Sequence, residues 1–346
     1  MNADRGSSCR NIGGGRTAFS LPELAEIAAQ NHHIFKELQY LSNIDYKPIR
    51  YISFAHDEET YKALEASKAW SKAEMIAPKQ FREEISPYFN ANPKKYISAL
   101  VSEDCWQATP GKVVDLVRNL GIAAGGTVME DCRVLEACRE GKYTSVLVQT
   151  HDKKYVEYRT EHFVNALGSG AGKLCDSMGI DAGLYPVRHQ AFITRRLPML
   201  GKHGTNLDML IDRQDYKGFS AVYGQQIAYT GQIIGCASPK LDAMRIDKNL
   251  KVNTKAFLEI VSEMFSEWIP DLAGVGIQAV WAGYYTEPRY IVDPELGLFV
   301  GMRGHGFMLS QYIARMYVDK LLGRPVPEYF EKLKLNGPGL SEKAFK

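Results

Sequence analysis

The 346-residue chain has almost no excess of either charge: 42 Lys and Arg stand against 40 Asp and Glu, a net charge of +2. A nucleic-acid partner would call for a clustered basic surplus, so the balance argues against one. No C-x-x-C pair occurs among Cys9, Cys105, Cys132, Cys138, Cys175 and Cys236, which excludes zinc knuckles and thioredoxin-type dithiols. The nearest two, Cys132 and Cys138, have no His beside them to complete a metal-ligand set. No apolar run approaches the ~18 residues of a membrane span, and Met1–Arg10 lacks the apolar core of a signal peptide. P-loop, H-E-x-x-H and nucleophile-elbow patterns are missing, as are solenoid-type repeats. What these absences leave is a cytoplasmic globular protein with reduced thiols and no metal site.

What is present fits that class. Hydrophobic residues make up 45% and charged residues 24% of the chain, close to globular averages. The length suggests about two domains. Ser20-Leu-Pro-Glu23 reads as a capping box, opening a helix with Leu24, Ile27, Ala28, Ile34, Phe35, Leu38 and Leu41 at helical spacing. A second helix starts at Pro110-Gly111 and ends at Gly121. Others span Thr254 to Trp268 and Phe307 to Leu322, the last closed by Gly323 and Pro325. Strands are expected at 50–56, 143–150, 155–159, 162–166, 186–195, 207–212, 226–236 and 298–300. Short strands mixed with helices, and glycines at their junctions, indicate α/β in one part and α+β in the other, with interleaved domains.

Four segments could carry chemistry. Val164-Asn-Ala-Leu-Gly168-Ser-Gly-Ala-Gly172 leads from strand to helix, so it is either a phosphate-facing turn or a tight packing turn. Gly301-Met-Arg-Gly304-His305-Gly306-Phe307 either lets the backbone approach a flat ligand or merely houses a structural His. Gly6 to Arg16 mixes Ser, Arg and Asn donors with glycines; it suits an anion or polar ring edge, or else forms a flexible start. Trp281 to Tyr290 is either a core strand or an aromatic pocket wall with Arg289 available to a carboxylate. Pro186-Val-Arg188-His189-Gln190 adds polar groups at a strand start.

Taken in order, these segments resemble the FAD-dependent amine and amino-acid oxidoreductases of the D-amino-acid oxidase, glycine oxidase and sarcosine oxidase superfamily. The family's G-S-S-x-R-N-x-G-G segment is matched by Gly6 to Gly14, and its P-G helix followed by Gly and Val by Pro110 to Val134. Its V-N-A-x-G segment corresponds to Val164 to Gly168, its P-V-R-x-Q strand to Pro186 to Gln190, and its G-H-G-F turn to Gly304 to Phe307. Trp-Ala-Gly-Tyr-Tyr leading to Gly-Leu-Phe-Val most resembles dye-linked L-proline dehydrogenase-like members. The family's initial strand, G-x-G-x-x-G turn and helix have no counterpart in the sequence.

The resemblance therefore implies a truncated Rossmann-like FAD-binding domain, its first βαβ unit missing, interleaved with a mixed-sheet substrate domain. The FAD-binding part would comprise 1–45, 104–185 and 282–330, the substrate part 46–103 and 186–281, and a C-terminal tail 331–346. FAD would be held non-covalently, because no thiol stands near Gly283. The implied cofactor contacts are Ser7, Ser8, Arg10, Asn11, Gly13, Val134, Asn165, Ala166, Gly168, Gly304, His305, Gly306, Phe307 and Met308. The implied catalytic set is Arg16 or Arg289 for a substrate carboxylate, Tyr284 and Tyr285 around the amine, and His305 at the flavin edge. The expected reaction is oxidation of an amine or amino acid, such as proline or an N-methylglycine like sarcosine, by hydride transfer. Alternatives are a non-catalytic fragment, a subunit of a heteromeric dehydrogenase, or a 2-hydroxy-acid dehydrogenase. The electron acceptor, and whether the chain forms homo- or hetero-oligomers, stay open.

Overall fold

The structure, a computed structural model, describes residues 6–87, 89–90, 93–197, 207–214, 219–227, 230–239 and 254–342. Its strands in chain order begin with β1 (Gly14–Gly15), β2 (Lys47–Ala55), β3 (Ala73–Ile76), β4 (Ser98–Gln107) and β5 (Arg133–Glu140). They continue with β6 (Tyr143–Gln149), β7 (Tyr155–Thr160), β8 (Tyr185–Thr194), β9 (Met209–Asp212) and β10 (Phe219–Gln226). The last are β11 (Ile233–Pro239), β12 (Ile277–Glu287), β13 (Ile291–Asp293) and β14 (Leu298–Val300). The helices are α1 (Pro22–Leu41), α2 (Glu58–Ala66), α3 (Phe81–Glu84), α4 (Pro110–Ala123), α5 (Ala171–Ser177), α6 (Thr254–Trp268) and α7 (Gly306–Leu321).

One large mixed sheet organises the molecule, in the order β1-β4-β2-β9-β10-β11-β8-β12, with β3 also paired to β4. Its neighbours are antiparallel except β2 and β9, which run parallel with Ser53 opposite Ile211. Side chains alternate between the two faces. Ile52, Phe54, Phe192, Leu210 and Val222 go to a core shared with Phe257, Met264 and Trp268 of α6. On the opposite face a second core packs Leu24, Ile27 and Phe35 of α1 against Leu309 and Ile313 of α7 and against Trp106. The expected segment boundaries at 103/104, 185/186 and 281/282 fall inside β4, β8 and β12, so this sheet runs continuously across them.

Several details differ from the sequence expectations. The stretch 226–236 is not one strand: β10 ends at Gln226 and β11 begins at Ile233, with Gly231 (φ 66°) in the turn between them. The strands β4 and β5 lack a recognisable pattern, and β3 lies within 57–92, where the charged pattern reads as helical but the chain is helical at Glu58–Ala66 and extended at Ala73–Ile76. In β4 the alternation is interrupted by Glu103 and Asp104, the latter at φ 54°, where the pairing with β2 slips. The capping box also fails. The helix α1 starts at Pro22, and Glu23 turns away to Lys332. The orphan N–H of Ser20 is taken instead by the carboxylate of Glu342, 322 residues away, at 3.0 Å.

That bond shows the C-terminal residues to be part of the core. Phe330, Leu333, Leu340 and Glu342 are all buried. Parallel pairing around Asn165 is limited, among the described residues, to a single bridge with Leu298. Val164 and Leu167 beside it, and Val117, Leu120 and Ile122 of α4, are exposed.

Replacing Glu342 with Ala leaves the Ser20 N–H without its acceptor and removes a buried charge. Urea unfolding of that variant is expected to show a loss of about 1–3 kcal/mol.

Candidate active site

Residues 7–10 are tied down by hydrogen bonds to a strand more than 270 residues later. Ser7 Oγ donates to the carbonyl of Tyr284 at 2.7 Å, and Arg10 donates to that of Ala282 at 2.9 Å. In return, Trp281 Nε1 donates to the Arg10 carbonyl at 2.7 Å. A Cβ at Gly283 would already sit 3.4 Å from Arg10 Cβ, so the two backbones lie side by side. Asn11 closes the loop on itself: its amide nitrogen donates to Ser8 O and its Oδ1 accepts from Gly13 N. Gly13 is required there, because φ is +79° and a Cβ would fall 2.2 Å from the Ala108 carbonyl oxygen.

The turn from β14 into α7 brings a second strip of backbone to the same place. Arg303 has φ 51° and its Nε donates to Glu287 of β12 at 2.7 Å. Gly304 lies flat on the Tyr285 ring, since a Cβ there would meet ring carbons at 2.5 Å. The helix α7 then opens at Gly306 with no side-chain cap; the Met308 amide is bonded to the His305 carbonyl at 3.1 Å, and the positive end of the helix dipole faces the turn.

Between these strips and the sheet lies a cavity of about 390 Å³. Ser7, Arg10, Asn11, Gly13, Arg16, Tyr284, Tyr285, Gly304, His305, Phe307 and Met308 line it, all named from the sequence. The sheet contributes Tyr51, His189, Met209, Ile211, Arg213, Tyr223 and Cys236. His189 stacks on Tyr285 with ring centroids 3.7 Å apart, and Tyr285 Oη is 2.9 Å from Tyr223 Oη.

Burial decides the charge state of these groups. It pushes the Tyr285, Tyr223 and Tyr290 phenols up and the Cys236 thiol up to about 12, so all stay protonated at neutral pH. It pulls His189 down to about 3, leaving a neutral ring. His305 is held well below its ordinary value by burial, reinforced by Arg16, Arg303 and Arg213. Its tautomer follows from its neighbours: Arg16 can only donate, so Nε2, 3.4 Å away, accepts. Nδ1 therefore carries the proton, facing Tyr290 Oη at 2.5 Å. The permanent charges at the site are thus guanidinium groups. Arg16 is 3% exposed and lies over the Phe19 ring at 3.9 Å; burial lowers Arg16, and brings Arg213 down to about 9.

The other sequence-named residues lie elsewhere. Arg289 donates to the carbonyls of Gly337 and Leu335, fastening the C-terminal residues rather than facing the cavity. Asn165 is fully buried and supports the Gly168 turn: its amide donates to Ala171 O at 3.1 Å and its Oδ1 accepts from Leu167 N. Ala166 and Gly168 are exposed, Val134 pairs with Val148 in the separate β5-β6-β7 sheet, and Ser8 and Gly306 do not line the cavity. Arg213, Tyr223 and Tyr51 escaped the sequence reading. They are scattered residues that only the β2-β9-β10 pairing brings together, and no local motif marks them.

The family model described as FAD dependent oxidoreductase matches residues 2–320. The fold is similar to L-proline dehydrogenase from P. horikoshii, with a TM-score of 0.78 at 22% identity over 96% of this chain and 87% of that one. It is also similar to glycine oxidase from Geobacillus kaustophilus (TM-score 0.77, 17% identity, 96% and 89% covered). Iminodiacetate oxidase from Chelativorans sp. BNC1 is a third such structure (0.73, 13%, 98% and 92%). No curated protein sequence matches. With a family match over nearly its whole length and this shared mixed α/β architecture, the chain belongs to the FAD-dependent oxidoreductase family of D-amino-acid oxidase type.

Proposed function

We propose that the protein oxidises an amine or amino acid, most directly a secondary amino acid such as proline or an N-methylglycine, by hydride transfer to FAD held non-covalently in the cavity described above. The single observation that carries this reading is the buried Arg16 guanidinium in the same cavity as the uncapped start of α7. The first can hold a substrate carboxylate, and the second the acceptor edge of a flat ring.

The residues suit a flavin. Ser7, Arg10 and Gly283 make a narrow backbone lane at one end of the cavity, and Gly304, His305, Phe307 and Met308 line the other. FAD, when bound, supplies the two-electron acceptor that the chain itself lacks. The chain's part is recognition and electrostatics. The fixed positive charges of Arg16 and Arg213 attract a carboxylate and disfavour an ammonium, so a substrate amine beside them is held in its neutral form. No side chain is required as base: His189 and His305 are too weak, and the tyrosines and Cys236 are protonated. His305 in its neutral form fixes Arg16 through Nε2 and is itself fixed by Tyr290. Charge developing at the ring edge would be met by the α7 amides and the guanidinium groups.

Three measurements test this reading. Gly304→Ala forces a methyl into the Tyr285 ring, and flavin-fluorescence titration is expected to show FAD affinity reduced by about tenfold or more. In anaerobic mixing of the FAD-loaded protein, L-proline or sarcosine is expected to bleach the flavin band, while 2-hydroxyglutarate leaves it intact; the opposite pattern would favour the hydroxy-acid alternative. Arg16→Lys keeps the charge but loses the planar fork. It should raise KM for the amino acid by roughly ten- to hundredfold with a smaller change in kcat; an unchanged KM removes the clamp.

A further inference from the structure

The strand β9 has two faces with different tasks. Met209, Ile211 and Arg213 follow one another at alternate positions along the cavity wall. Asp212, by the same alternation, points through the sheet to the far side, where its carboxylate is fully buried. There it meets His56, which follows the last residue of β2, because β2 and β9 run parallel and emerge at the same edge.

His56 Nε2 lies 2.5 Å from Asp212 Oδ1, and Nδ1 lies 2.7 Å from the Lys95 carbonyl. With Asp212 as a carboxylate both partners are acceptors, so both ring nitrogens carry protons and the pair is an imidazolium–carboxylate. Tyr96 Oη donates to the second carboxylate oxygen at 3.1 Å and Gln214 Nε2 donates at 3.2 Å. The other ionisable neighbours are Asp57, which caps α2, and the Lys95 ammonium, paired with Glu267 of α6 at 2.8 Å. His56 itself is shifted upward: desolvation opposes the charge, but the hydrogen bond and charge of Asp212 outweigh it.

We propose that His56 and Asp212 form a proton-dependent latch behind the sheet that holds Arg213 in the substrate cavity, making His56 a positioning residue for an anionic substrate. The carboxylate part of this assignment rests on the reading of the cavity given above. With His56 protonated, the end of β9 is pinned by an ion pair and two further donors. When His56 loses a proton, one ring nitrogen becomes an acceptor facing an acceptor, and Asp212 keeps a buried negative charge with its cation gone. The end of β9 then relaxes, and Arg213 moves with it. The stability contributed by the pair is present below the ordinary histidine range and is lost as pH rises through the raised value in the folded protein.

Heteronuclear NMR of the FAD-loaded protein, following the His56 ring nitrogens and Arg213 Nε through pH, tests the latch without any turnover. The expected result is a doubly protonated His56 at neutral pH and an Arg213 signal that shifts with the same midpoint. Benzoate, as a carboxylate probe, should lose about tenfold in affinity across that midpoint, and His56→Gln, confirmed as folded by its melting curve, should abolish the pH dependence. A His56 that titrates at or below its ordinary value, or an Arg213 signal indifferent to it, overturns the latch. Coupled His56 and Arg213 signals with no benzoate binding uphold the latch and overturn only the carboxylate reading.

Discussion

The site depends on a reciprocal set of hydrogen bonds between residues 7–10 and β12. Ser7 and Arg10 donate to the carbonyls of Tyr284 and Ala282, and Trp281 donates back to Arg10. These bonds join segments separated by more than 270 residues, so loop-closure entropy opposes them. The packing that brings the ends together is supplied by the sheet and by the α1–α7 core. Because β12 also carries Tyr285 and Glu287, the same strand positions Gly304 and Arg303 on its other side. One strand therefore sets the spacing between two backbone strips, and with it the width of the cavity.

The second constraint is electrostatic. Burial, reinforced by Arg16, Arg303 and Arg213, holds His305 neutral. Arg303 has its charge met by Glu287 of the cavity wall, and the Glu342 carboxylate favours the charged forms of Arg16 and Arg213. Keeping guanidinium groups out of water is costly, and the fold meets that cost with Phe19 beneath Arg16 and with Glu342 nearby.

Much of this was legible in the chain. The α1, α6 and α7 helices follow from apolar spacing, and the two glycine segments at Gly6–Gly14 and Gly304–Phe307 mark where backbone must come close. Their convergence was legible only as a family order, since neither segment says where the other lies. Arg289 illustrates the limit: an Arg after an aromatic strand looks available to a ligand, but the C-terminal carbonyls claim it. Glu342 is the converse case, a tail residue with no local signal whose carboxylate accepts from Ser20 N just ahead of α1. Arg213 and His56 became visible only through the parallel pairing of β2 with β9, a long-range contact that periodicity does not encode.

The central claim is that residues 6–14 and 301–308 are two walls of one flavin site. Amide hydrogen exchange measured with and without FAD tests it most directly. The account predicts that FAD slows exchange in both segments together, while the β5-β6-β7 sheet beyond the cavity changes little. Protection confined to one of the two segments, or absent from both while FAD is bound, would contradict it.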